Sequence, residues 1–150
     1  MVLEGVQGVR GPLNRLRPGA LEGRTLKDAL EKMIREYQTL SNLQVDLHYE
    51  WVDVDMDVMI EDTIFRVIQE SMTNAVRHGH ASRMILHFFE DEEDYLIELQ
   101  DNGVGVETLT YGYGLKQMME RISILGGQLQ FESRDGFFTR VSLPKYKEGR

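Results

Sequence analysis

The stretch "QDNGVGVETLTYGYGLK", residues 100–116, decides how the chain is read. A single acid, Asp101, precedes two pairs of glycines, Gly103 with Gly105 and Gly112 with Gly114. Residues 95–100 before it are β-rich and run straight into Asp101. The following "LKQMMERISILGG" has helical spacing and stops at Gly126 and Gly127, a usual helix C-terminal signal. The stretch is therefore a strand-to-helix connection. Glycines mark turns with positive φ and "DNG" alone is a hairpin signal, so a plain connection is one reading. Duplication of the pair favours another. The second pair leaves backbone N–H groups at a helix N-terminus to take an anion. A carboxylate at a strand end can accept from an exocyclic amine, which a purine carries and a phosphate does not.

Upstream, "DVMIEDTIFRVIQESMTNAVRHG", residues 57–79, is the longest helical pattern in the chain. Met59, Ile60, Ile64, Ile68, Met72, Ala75 and Val76 are expected on its broad apolar side, with Gly79 at the C-cap. Beside that side, Glu70, Asn74 and His78 recur every four residues and Arg77 stands three after Asn74. One reading of this stripe is a solvated polar face with a Glu70–Asn74 hydrogen bond. The other is a metal-nucleotide site. Magnesium takes hard oxygen ligands and keeps several waters, so one amide oxygen with phosphate oxygens suffices for it. Arg77 can fork onto a phosphate, and Glu70 can orient or deprotonate an attacking group.

Around these segments the chain reads as one α+β domain. "LKDALEKMIREYQTL", residues 26–40, is an amphipathic helix capped by Thr25 with Asp28 as a weaker capping-box partner. Val45, Leu47, Tyr49 and Trp51 alternate as in a half-buried strand. Residues 83–89 and 95–100 form a hairpin around an acidic turn, and "QLQFES" with "FTRVSLP" a second hairpin around "RDG". A short helix is expected over residues 12–23, broken at Pro18 and docked through Leu16 and Leu21. Met118 and Met119 read as core and rim of the last helix. The expected architecture is a sandwich, with a mixed or antiparallel sheet covered on one face by helices.

Composition narrows the function. With 25 acidic and 17 basic residues the formal charge is -8, which disfavours direct nucleic-acid or anionic-membrane binding. The absence of cysteine removes disulfides, thiolate zinc sites and thiol nucleophiles. No apolar run reaches the roughly 20 residues of a membrane helix. There is no GxxxxGK[ST] loop and no G-x-S-x-G serine, and the histidines lack the spacing of a zinc site.

Taken in order, "RVIQESMTNAVRHG", "DNGVG", "GYGL" and "GGQLQFES" with "GFFTRVSLP" resemble the N box, the two glycine boxes and the terminal box of a known domain. It is the ATP-binding catalytic domain of bacterial sensor histidine kinases. The match covers about residues 58 to 144. "LRPGAL" with the helix and strand after it resembles the lead-in of the subfamily paired with response regulators of helix-turn-helix output. The resemblance implies a Bergerat-type α/β sandwich that binds ATP and Mg2+. It implies that Asn74 binds the metal, that Glu70 prepares an acceptor histidine, and that Arg77, with His78 beside it, faces the phosphates. Asp101 would read the adenine amino group, Gly103 and Gly105 would shape the adenine pocket, and Gly112, Gly114 and Leu115 would stand at the nucleotide-proximal end of the lid. Thr139 would match the threonine of the terminal box.

Two departures accompany this. Phe138 stands where the family usually has a glycine, which predicts a less close approach of that strand to the nucleotide. Only Val106 to Tyr111 separate the glycine pairs, a short lid. No "ELHD"-like phosphoacceptor stretch occurs, so the resemblance implies a catalytic fragment. Residues 1–23 would be a lead-in, 24–146 the domain and 147–150 a tail. Its partners would be ATP, a separate dimerisation and phosphoacceptor segment and a cognate response regulator. The fragment would be monomeric and cytoplasmic, within a homodimeric parent whose membrane anchoring is left open. Two alternatives remain at this point: a stand-alone serine kinase of the anti-sigma type, and a degenerate interaction module that keeps the fold without turnover.

Overall fold

The computed structural model describes residue 21 and residues 23–104, 113–133 and 135–145. The expected helix over 12–23 falls outside them except at its end, where Leu21 is fully buried in the core. Three helices follow among the described residues: α1 (Leu26–Leu40), α2 (Val58–Arg77) and α3 (Tyr113–Ile124). The strands are β1 (Gln44–Tyr49), β2 (Arg83–Glu90), β3 (Asp94–Asp101), β4 (Gln128–Ser133) and β5 (Phe137–Pro144). They form one five-stranded sheet in the order β1-β2-β3-β5-β4. Only β1 and β2 are parallel, joined through α2, and every other pair is antiparallel.

Alternation sets which side of the sheet meets the helices. Val45 on β1, Met84, Leu86 and Phe88 on β2, Ile97 and Leu99 on β3, Leu129 on β4 and Val141 and Leu143 on β5 all enter the core. Their neighbours Asp46, His48, Arg83 and Ile85 lie exposed on the opposite face. The helices supply Leu30 and Met33 from α1, Ile64, Ile68 and Met72 from α2, and Met118 and Ile122 from α3. Full burial of each such side chain contributes on the order of 1.5–3 kcal/mol. α2 is the central helix, touching both α1 and α3.

Local sequence explains the ends. Thr25 caps α1 by accepting from the Asp28 amide, and the Asp57 carboxylate caps α2 by accepting from the Met59 amide at 2.7 Å. Met59 is 70% exposed, against the expectation that it joins the apolar side. Its position seven before Arg66 and eleven before Glu70 places it on the polar stripe of the helix. The strand β1 also ends earlier than its alternation suggests. Trp51 is buried beyond it, with its indole N–H donating to the Phe89 carbonyl at 2.6 Å and its ring edge-on to Phe88. That contact pins the lead-in to α2 against β2.

Candidate functional site

Asp101 is the last residue of β3, in the row of Ile97 and Leu99 that faces the helices, and it is only 6% exposed. Its Oδ1 accepts two backbone N–H bonds, from Gly103 at 2.8 Å and from Phe137 at 3.1 Å. Among the described residues no donor reaches Oδ2. Burial pushes the Asp101 carboxyl above its usual range, and the two amides, which favour the ionised form, only partly oppose it. Among the described residues, the result is a buried carboxylate held at one oxygen, with no donor at the other.

The residue after it locks the strand end. Asn102 Oδ1 accepts from the amides of Ser82 and Arg83, both at 2.9 Å, and the Asn102 amide donates to the Arg83 carbonyl. Asp101 therefore sits on a rigid β2–β3 terminus.

The C-terminal end of α2 is tied to the same place. The Asn74 carbonyl accepts from the amides of His78 and Gly79, and the Gly79 carbonyl accepts from Val104 at 2.9 Å. Gly79 and Gly103 meet backbone to backbone: a Cβ added to Gly103 would lie 2.6 Å from the Gly79 carbonyl oxygen. Gly103 is required here for close approach, which its expected role in shaping a pocket had not included. On α2, Glu70 and Asn74 are half-buried, while Arg77 and His78 are exposed. The Glu70–Asn74 hydrogen bond of a plain polar face does not occur among the described residues.

Thr139 is 1% exposed on β5, paired with Leu99 and Phe131, and so lies on the same face as Asp101 one pair further in. Leu115 is half-buried against the core from α3. Gly114 falls in the first turn of α3, whereas Gly105, Gly112 and the lid residues Val106 to Tyr111 lie outside the described residues.

The expectation about Phe138 needs correction. It pairs with Gln100 and Glu132 and alternates with inward Thr139, so its side chain belongs to the outer face, away from Asp101. The residues that do adjoin Asp101 are Gly136 and Phe137. Gly136 has φ +122, and a Cβ there would collide with the Asp101 carbonyl oxygen. Alternation back from buried Leu143 and Val141 was the signal that would have singled out Phe137.

Among the described residues no group of three or more His, Cys, Asp or Glu side chains gathers to hold a metal. The half-buried amide of Asn74 offers one oxygen that suits a divalent cation taking few protein ligands alongside ligand oxygens and water.

Residues 59–147 match the family described as "Histidine kinase-, DNA gyrase B-, and HSP90-like ATPase". The chain belongs to this ATPase family. Among characterised proteins it is 35% identical over 142 residues to the signal transduction histidine-protein kinase/phosphatase UhpB of Salmonella typhimurium, covering 91% of this chain and 28% of that protein. It is 30% identical to the sensor histidine kinase LiaS of Bacillus subtilis, covering 95% of this chain and 40% of that one. The chain thus spans well under half the length of these relatives. The fold is that of solved histidine kinases. AdeS of Acinetobacter baumannii superposes with a TM-score of 0.67 at 20% identity, over 81% of this chain and 65% of that one. The histidine kinase domain of the blue-light activated kinase EL346 of Erythrobacter litoralis gives 0.64 at 18% identity, over 79% and 60%. Among the described residues no helix is long and apolar enough to cross a membrane.

Proposed function

We propose that the chain binds Mg-ATP and donates the γ-phosphoryl group to a histidine on a separate dimerisation segment, within a two-component signalling kinase. The observation that carries this reading is Asp101: a carboxylate more than nine-tenths buried, held at Oδ1 and, among the described residues, without a donor at Oδ2. Such an oxygen calls for a ligand that brings its own N–H donor, and the exocyclic amine of adenine supplies one. The family relationship supports ATP as that ligand.

From Asp101, the contact between Gly79 and Gly103 leads to the end of α2, where Asn74 and Arg77 would face the phosphates. A bound magnesium ion would neutralise phosphate charge, with the Asn74 amide oxygen as its protein ligand. Arg77, exposed at the helix end, would fork onto phosphate oxygens. In the transfer, an imidazole nitrogen of the acceptor histidine attacks the γ-phosphorus, and the bond to the bridging oxygen breaks with its electron pair leaving on ADP. Glu70 would orient the acceptor ring and take the proton from its other nitrogen. The acceptor segment and a response regulator are then the protein partners.

Isothermal titration of the purified chain with ATP and ADP, with and without magnesium, tests this. The expected result is magnesium-dependent binding that Asp101→Asn removes. A folded chain that binds neither nucleotide would refute the proposal and favour the degenerate interaction module.

A further inference from the structure

Phe137 starts β5 directly opposite Asp101, so the two side chains stand on the same helix-facing side of the sheet. Directly opposed residues on antiparallel strands have Cβ atoms about 4.5–5.5 Å apart. Phe137 is half-buried and stacks on the Phe131 ring, with centroids 5.6 Å apart and planes 26° from parallel. Phe131 in turn packs against the core, so the second ring backs the first. The backbone holds this arrangement close. Gly136 admits no Cβ against the Asp101 carbonyl, and the Phe137 amide is itself a donor to Asp101 Oδ1.

A buried acceptor oxygen with no donor among the described residues and a half-buried aromatic ring thus share one end of the sheet. A ligand that satisfies both has a flat apolar ring system with an amine on its edge. We propose that the Phe137 ring, backed by Phe131, contacts the adenine base and is a specificity-determining residue for the nucleotide, a reading that rests on the proposed ATP function. The carboxylate selects the amine and the ring selects the extent of the base. A pyrimidine placed with its amine on Asp101 covers less of the ring than a purine does.

The test is titration of the full chain and of Phe137→Leu and Phe137→Trp with Mg-ATP and Mg-CTP, together with proton NMR of the bound adenine. Base stacking on an aromatic side chain accounts for roughly a 5- to 150-fold change in affinity. Phe137→Leu should weaken ATP by about tenfold and CTP by less, while Phe137→Trp keeps ATP within a few-fold. In the wild type, adenine protons should show nuclear Overhauser contacts to phenylalanine ring protons that Phe137→Leu loses. Wild-type binding of ATP with a folded Phe137→Leu of equal affinity and unchanged contacts would overturn this inference and leave the ATP function standing. Failure of the wild type to bind ATP would refute both.

Discussion

Replacing Gly103 with alanine places a methyl group 2.6 Å from the Gly79 carbonyl oxygen and 3.0 Å from the carbon atoms behind it, where ordinary contact begins at 3.4 Å. Both sides of this contact are backbone, so no rotamer change relieves it. The segments must separate, and the hydrogen bond from Val104 to Gly79 is stretched or lost. Overpacking of about 1–3 kcal/mol and a lost hydrogen bond of about 1 kcal/mol give a destabilisation of about 2–4 kcal/mol. For a domain of this size that lowers Tm by roughly 10 °C. The reverse change is much milder: a Cβ on Gly79 meets the Ala75 carbonyl at 3.1 Å and the Gly103 Cα at 3.7 Å, and its φ is not in the left-handed region. Gly79→Ala should therefore shift Tm by less than about 3 °C, because the entropy lost from the unfolded chain offsets the tight contact. Thermal unfolding by circular dichroism on both variants decides the matter. Equal effects, or a more damaging Gly79→Ala, would refute the close approach as the reason for glycine at 103.

Asp101→Asn should separate stability from binding. The raised pKa of the carboxyl means that its ionisation costs stability, a cost absent below the ordinary aspartate pKa of about 3.9 and complete once pH has risen through the folded value. The asparagine variant, whose amide oxygen can keep both backbone donors, should melt higher than wild type at pH 7 and lose that advantage toward pH 4. Differential scanning calorimetry across pH reads this. Asn74→Ala should leave Tm within about 2 °C, since the side chain has no partner among the described residues, yet abolish the magnesium dependence of ATP binding in titration. Gly136→Ala combines an unfavourable φ with a collision at the Asp101 carbonyl; it should cost about 2–4 kcal/mol by urea unfolding and weaken ATP binding as well.

The helices and strands were legible because burial on one face imposes a period on the sequence. Leu26, Leu30, Met33 and Ile34 announce α1, and the alternation from Arg83 to Phe88 announces β2. The parallel pairing of β1 with β2 was not, since a period of two shows which face a residue takes and not which strand lies beside it. Asp101 stood out as an acid at a strand end ahead of glycines. The meeting of Gly79 with Gly103 is a tertiary fact about residues 24 positions apart, and neither glycine carries a local trace of it. Phe138 was misjudged for a related reason: position relative to a motif was followed where strand alternation, readable from Val141 and Leu143, assigns the inward place to Phe137.

The two amides that hold Asp101 come from very different distances along the chain. One is two residues away, at Gly103, while the other lies 36 residues on, at Phe137. The hairpins β2–β3 and β4–β5 turn locally, at Glu90 with Tyr95 and at Ser133 with Phe137. Asp101 acquires its second amide only when β3 and β5 pair, a slower, non-local event. During synthesis, a nascent chain that has released β3 but not β5 holds a half-made acceptor. On the proposed reading, competence to bind ATP would depend on the pairing of β3 with β5, and ligand binding during refolding would report the joining of the two hairpins rather than the formation of either.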